Sequence, residues 1–122
     1  MKIYTGYFAQ IKKYREAGLE TISIARFNRY YIGKSMKILA PSADMIHDPK
    51  PDYIPKYNRI LSRLSKEGIL KEISLLSGGK DVVLLCYEKP GDFCHRTLVA
   101  KWLSEITDVK EFETKRIDPQ LF

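Results

Sequence analysis

Residues 81–103 read DVVLLCYEKPGDFCHRTLVAKWL. The uninterrupted apolar run Val82-Val83-Leu84-Leu85, closed by Cys86-Tyr87-Glu88, predicts a strand buried on both faces, the signature of a parallel sheet. A Pro-Gly loop follows, and Cys94-His95-Arg96 opens a segment in which Leu98, Val99, Trp102, Leu103 and Ile106 form one apolar helical stripe. A buried strand, a short loop and a helix start make half of a βαβ unit. In open α/β sheets the carboxyl ends of the strands form the ligand crevice. Two thiols, a carboxylate, an imidazole and a guanidinium gather at that end.

Working outward, 2–7 is predicted as a first strand and 8–17 as an amphipathic helix ended by Gly18. The β-branched segment LETISIA (19–25) gives a second strand, paired in parallel with the first through a right-handed crossover. A short third strand is expected over 36–40. HDPKPDYIP (47–55) holds three prolines and is read as a loop covering the ligand end. Tyr57, Ile60, Leu61, Leu64 and Gly68 mark an amphipathic helix, and 69–77 continues as a second helical piece ended by Gly78-Gly79. Residues 109–114 supply a half-exposed edge strand. The expected fold is a single three-layer α/β domain over residues 1–122, a mostly parallel sheet of four or five strands flanked by helices.

With 44% hydrophobic residues the chain can bury one core, and its net charge of +6 favours anionic partners such as nucleotides, nucleic acid or phosphorylated metabolites. The basic residues are diluted: Lys12-Lys13 with Arg15, and the stretch from Lys56 to Lys66, are the nearest approaches to a block. No apolar run approaches a membrane span and the start MKIYTGYF lacks a signal-peptide core, so a cytoplasmic protein is expected. In that compartment Cys86 and Cys94 are expected as free thiols.

At a helix start the first N–H groups lack intrahelical partners and the dipole favours negative charge. Cys94 at the cap with Arg96 in the first turn therefore reads as an anion cradle, and the same field makes Cys94 the more reactive sulfur, Cys86 being an inert strand residue. His95 is an acid/base candidate, and Glu88, beyond the strand end, a base or a clamp for Arg96. Arg26 follows the second strand directly, and Thr5 and Gly6 end the first, so all three should share the ligand end. Tyr7, Phe27, Tyr30 and Tyr31 offer a stacking surface. A cysteine phosphatase is excluded: at the spacing its phosphate loop needs, Cys86 is followed by Asp92 and Cys94 by Ala100. A structural zinc site lacks a clear fourth ligand, since Cys86, Cys94 and His95 have only His47 as a remote addition, and no metal is assigned.

The motif L-L-C-Y-E, followed by C-H-R at the head of an apolar helix, resembles the domain-of-unknown-function 488 family, as does I-Y-T-G-Y near the start. The resemblance runs from Ile3 to about Phe112. It implies an α/β fold and a shared polar site at Arg26, Glu88, Cys94, His95 and Arg96, and no established reaction. The family's acidic residue before the strand-end arginine is absent from Ile24-Ala25-Arg26, and its longer first turn is shortened to Thr5-Gly6-Tyr7.

Three function classes follow. The leading expectation is an anionic ligand, a nucleotide or nucleic-acid phosphate, held by Arg26, Arg96, Thr5 and Gly6 at the sheet's carboxyl end, with hydrolytic chemistry left open for Glu88, Cys94 and His95. The alternatives are a non-catalytic nucleic-acid-binding or interaction module and a thiol- or metal-dependent enzyme built on Cys94. No cofactor is assigned.

Overall fold

A computed structural model describes residues 1–87 and 94–113. Its strands β1 (Ile3–Tyr7), β2 (Glu20–Ser23), β3 (Lys34–Ser35), β4 (Val82–Cys86) and β5 (Val109–Glu111) form one parallel sheet in the order β3-β2-β4-β1-β5. The helices are α1 (Ile11–Glu16), α2 (Lys50–Ser62), α3 (Lys66–Ser77) and α4 (His95–Leu103). The expected α/β architecture is present, with the apolar strand β4 in the middle and buried along its whole length.

Side-chain alternation along β4 divides the core. Val82 and Leu84 pack with Tyr57, Leu61, Ile73, Val99 and Leu103, the layer of α2, α3 and α4. Val83 and Leu85 pack with Tyr14 and Leu19, the layer of α1. Cys86, in step with Val82 and Leu84, therefore faces the layer that contains α4.

One pairing differs from the sequence expectation. β1 and β2 run parallel but are not neighbours; β4 lies between them, with Ile3 and Glu20 both opposite Val82. The β1-to-β2 connection thus leaves in one direction and the β4-to-β5 connection in the other. Right-handed crossovers of opposite direction put their helices on opposite faces, as α1 and α4 are. The chain diverges between β4 and β1, and at such a switch the carboxyl ends are left uncovered.

Three boundaries are corrected. The proline-rich segment is not a loop throughout, because α2 begins at Lys50. Pro51 sits in the first turn, where an N–H has no helical acceptor, while Asp52 and Tyr53 both donate to the Pro49 carbonyl. Pro55 lies inside the helix on its exposed side, at a cost of about 3 kcal/mol, offset by the burial of Tyr53, Tyr57 and Leu61 on one face. Next, no single helix carries Tyr57 and Gly68: α2 stops at Ser62, and Ser65 caps α3 by accepting the Gly68 N–H at 3.1 Å, so Gly68 lies in the first turn of α3. Finally, the third strand is Lys34–Ser35; residues 37–39 form a 3₁₀ turn. No helix among the described residues is long and apolar enough to cross a membrane.

Candidate functional site

Cys86 is the last residue of β4, opposite Tyr7 of β1, and Cys94 is the N-cap of α4. The expectation of two free thiols is corrected: Cys86 and Cys94 are joined as a disulfide. Both side chains are driven inward, Cys86 by strand alternation toward the α4 layer and Cys94 by its place at the helix start, so their sulfurs meet. They are 1% and 3% exposed. Cys86 is accordingly part of the site rather than core filling.

His95, the first residue of α4, reaches across to β2. Its Nε2 lies 2.7 Å from the carbonyl oxygen of Ile24. A carbonyl only accepts, so Nε2 carries the proton and Nδ1 keeps its lone pair, 3.6 Å from Cys94 Sγ. Burial lowers the His95 pKa to about 4, the nearby Arg96 cation adding to the effect and the Ile24 hydrogen bond opposing it. The imidazole is neutral at physiological pH, and the Tyr57 ring packs edge-on against it at 5.4 Å.

Arg96 is 1% exposed. Its Nε and Nη2 donate to the two carboxylate oxygens of Glu111 at 3.0 and 3.3 Å, and its Nη1 donates to Cys86 Sγ at 3.1 Å. The guanidinium carbon stands 5.8 Å from the centre of the Tyr7 ring. Thr5 Oγ1 donates to Glu111 Oε1 at 2.7 Å. Thus Thr5 of β1, Glu111 of β5 and Arg96 of α4 form one network that reaches Cys86, with Thr5 and Arg96 buried and Glu111 partly exposed. Glu111 was not among the sequence candidates; read as part of a half-exposed edge, it carried no signal of facing inward. Among the described residues, every buried side-chain nitrogen and oxygen has a partner.

The remaining candidates are arranged differently. Arg26 is exposed, lines the same cavity as Cys94 and His95, and lies 5.8 Å from the Phe27 ring centre. Gly6 is needed for packing: a Cβ there would stand 2.5 Å from the Tyr14 hydroxyl, which accepts the Tyr7 N–H. Glu88 lies outside the described residues. Of the aromatic candidates, Tyr31 is engaged with Thr21 and with the Phe8 ring, whereas Phe27 and Tyr30 are exposed. Tyr87, half exposed and packed on Phe8, joins Phe27 at the cavity and was not anticipated.

The cavity, about 200 Å³, opens at the carboxyl ends of β2 and β4. Arg26, Phe27, Tyr87, Cys94 and His95 line it, along with Asp48, whose charge is met by Lys56 at 2.7 Å. At its floor Cys86, Cys94 and His95 bring three sulfur or nitrogen donor atoms within 4.8 Å of one another. The arrangement therefore joins an exposed cation, two aromatic faces, a helix start and a soft donor set. Binding of an anion or a planar group, thiol–disulfide exchange and coordination of a soft metal are each within its chemistry.

No curated protein and no solved structure matches this chain. A family model described as the active DUF488-N3 subclade matches residues 8–107, which take in β2, β3, β4, the cysteine pair and α4. The chain belongs to the DUF488 family.

Proposed function

We propose that this domain binds a nucleotide or a nucleic-acid phosphate in the cavity at the carboxyl ends of β2 and β4. The observation that carries the reading is the lining of that one cavity: an exposed guanidinium at Arg26, the aromatic side chains Phe27 and Tyr87, and the start of α4 at Cys94 and His95. Aromatic faces accept a base in any sequence context, and a guanidinium beside a helix start suits a phosphate. The net charge of +6 favours approach of an anion. Arg96 contributes indirectly in this reading, because its guanidinium is committed to Glu111 and Cys86 and fixes the cavity floor. A pKa near 4 makes His95 a weak base, so the reading is of binding rather than of proton transfer by His95.

Calorimetric titration with a nucleoside monophosphate, inorganic phosphate and a short single-stranded oligonucleotide tests it. Saturable binding that Arg26→Ala weakens about tenfold is the expected result, the loss of one charge-assisted contact. Retained affinity at moderate salt marks a pocket-held mononucleotide, and a steep decline marks a nucleic-acid backbone. Absence of saturable binding to all three, or an Arg26→Ala protein that binds like the wild type, contradicts it.

A further inference from the structure

The floor of the cavity holds an arrangement that nucleotide binding does not use. Cys86 Sγ, Cys94 Sγ and His95 Nδ1 are two sulfurs and an imidazole nitrogen, mutually within 4.8 Å. Donor atoms about 2.0–2.3 Å from a tetrahedral zinc ion stand roughly 3.3–3.8 Å apart. The Cys94 Sγ to His95 Nδ1 distance is 3.6 Å. We propose that, when both cysteines are thiols, these three residues bind one zinc-class divalent ion, and that the disulfide is the oxidised, metal-free state of the same site.

Four further features carry it. The Ile24 carbonyl accepts the hydrogen bond of His95 Nε2–H, which leaves Nδ1 as the ring's donor atom, and carbonyl-bound imidazole is the usual condition of a metal-ligating histidine. Arg96 Nη1 is a hydrogen-bond donor to Cys86 Sγ, suited to a thiolate. Charge also balances. Two buried thiolates alone would leave a net negative floor, since Arg96 is already matched by Glu111; a dication cancels both thiolates. Finally, although the three donor residues are nearly inaccessible, all of them line the cavity, which gives an entry path and room for an exchangeable fourth oxygen ligand.

The interconversion balances. A dithiol reductant supplies two electrons and two protons to the Cys86–Cys94 bond, becoming a disulfide itself, and leaves two thiols. Ion binding then releases the two thiol protons. Oxidation by a disulfide or diazene oxidant reverses this and expels the ion.

The test uses cobalt(II) as a spectroscopic stand-in on the full chain reduced with a phosphine. The expected result is a thiolate-to-metal charge-transfer band in the near ultraviolet with tetrahedral bands in the visible, saturating at one equivalent and bleached by zinc. Serine is a favoured N-cap, so Cys94→Ser should keep α4, verified by circular dichroism, while weakening zinc binding at least about 100-fold and removing most of the charge-transfer intensity. Adding diamide to the zinc-loaded wild type should release one ion for each two thiols lost, read with a chromophoric chelator. A reduced, folded wild type without the band, a stoichiometry other than one, or a band unchanged in Cys94→Ser overturns the proposal. None of these readouts involves a nucleotide, so the outcome is independent of the binding reading above.

Discussion

The Nε2–H of His95 is bonded to the carbonyl of Ile24 at 2.7 Å, tying the first residue of α4 to the chain leaving β2 across 71 positions of sequence. That bond holds the imidazole inside the protein, where burial keeps it neutral although the bond itself favours the charged form. In the unfolded chain His95 titrates near 6.5, whereas in the folded one it is held to about 4. Between those values the unfolded chain takes up a proton that the folded chain refuses, so stability declines as pH falls. The slope is about 1.4 kcal/mol per pH unit, reaching roughly 3 kcal/mol near pH 4, with no contribution above about 6.5. Denaturant melts of the oxidised, metal-free protein at pH 7 and pH 4.5 check the slope. An NMR titration showing His95 protonating near pH 6.5 in the folded state contradicts it.

The Arg96–Glu111 ion pair, buried on the arginine side, makes a second prediction. Arg96 is 1% exposed and its forked contact to Glu111 joins α4 to the edge strand β5. Glu111→Ala removes a carboxylate that faces both Arg96 and Thr5, and is expected to cost about 2–4 kcal/mol. Replacing both partners, Arg96→Met with Glu111→Leu, should cost less than the sum of the single changes. Chemical denaturation of the four proteins measures this; strictly additive losses would mean that the pair is not coupled.

Gly6 is expected to resist the smallest substitution. In Gly6→Ala the new methyl would meet the Tyr14 hydroxyl at 2.5 Å, and Tyr14 is fully buried. Displacing that ring costs about 1–3 kcal/mol, a fall in melting temperature of several degrees. Tyr14→Leu in the same chain should recover part of the loss. An unchanged melting temperature for Gly6→Ala would show that the ring shifts freely.

Reduction of the disulfide gives a fourth prediction. The bond spans a sequence separation of 8. On chain-entropy grounds a closed loop of that size contributes about 2–3 kcal/mol. Phosphine-reduced, metal-free protein should unfold at correspondingly lower denaturant than the oxidised form, and zinc should restore stability to the reduced form only. Identical midpoints for the oxidised and reduced proteins would contradict this.

Much of the fold was legible in residues 81–103, where the apolar run and the C-H-R helix start fix a buried central strand and the orientation of its ends. Strand order was less accessible. Nothing local in LETISIA says that β4 will insert between it and β1, because parallel pairing is set by packing of the whole sheet. The start of α2 was missed because three prolines outweighed the stripe of Tyr53, Tyr57 and Leu61, although Pro51 occupies the turn that tolerates it. For the site, Cys94, His95 and Arg96 could be grouped from their shared turn, whereas the partnership of Arg96 with Glu111 depends on which face of an edge strand turns inward. Cys86 was discounted as a core residue; its alternation with Val82 and Leu84 was the available sign that it points toward α4.

Amide chemical-shift mapping during titration with a nucleoside monophosphate reads directly where a ligand is held. The expected result is a saturable set of shifts concentrated at Ala25–Phe27, Tyr87 and Cys94–His95, the residues around the cavity. Shifts confined to the exposed C-terminal end of α2 around Arg59 and to Arg63, which follows the helix, or none at all, would contradict a ligand in the cavity.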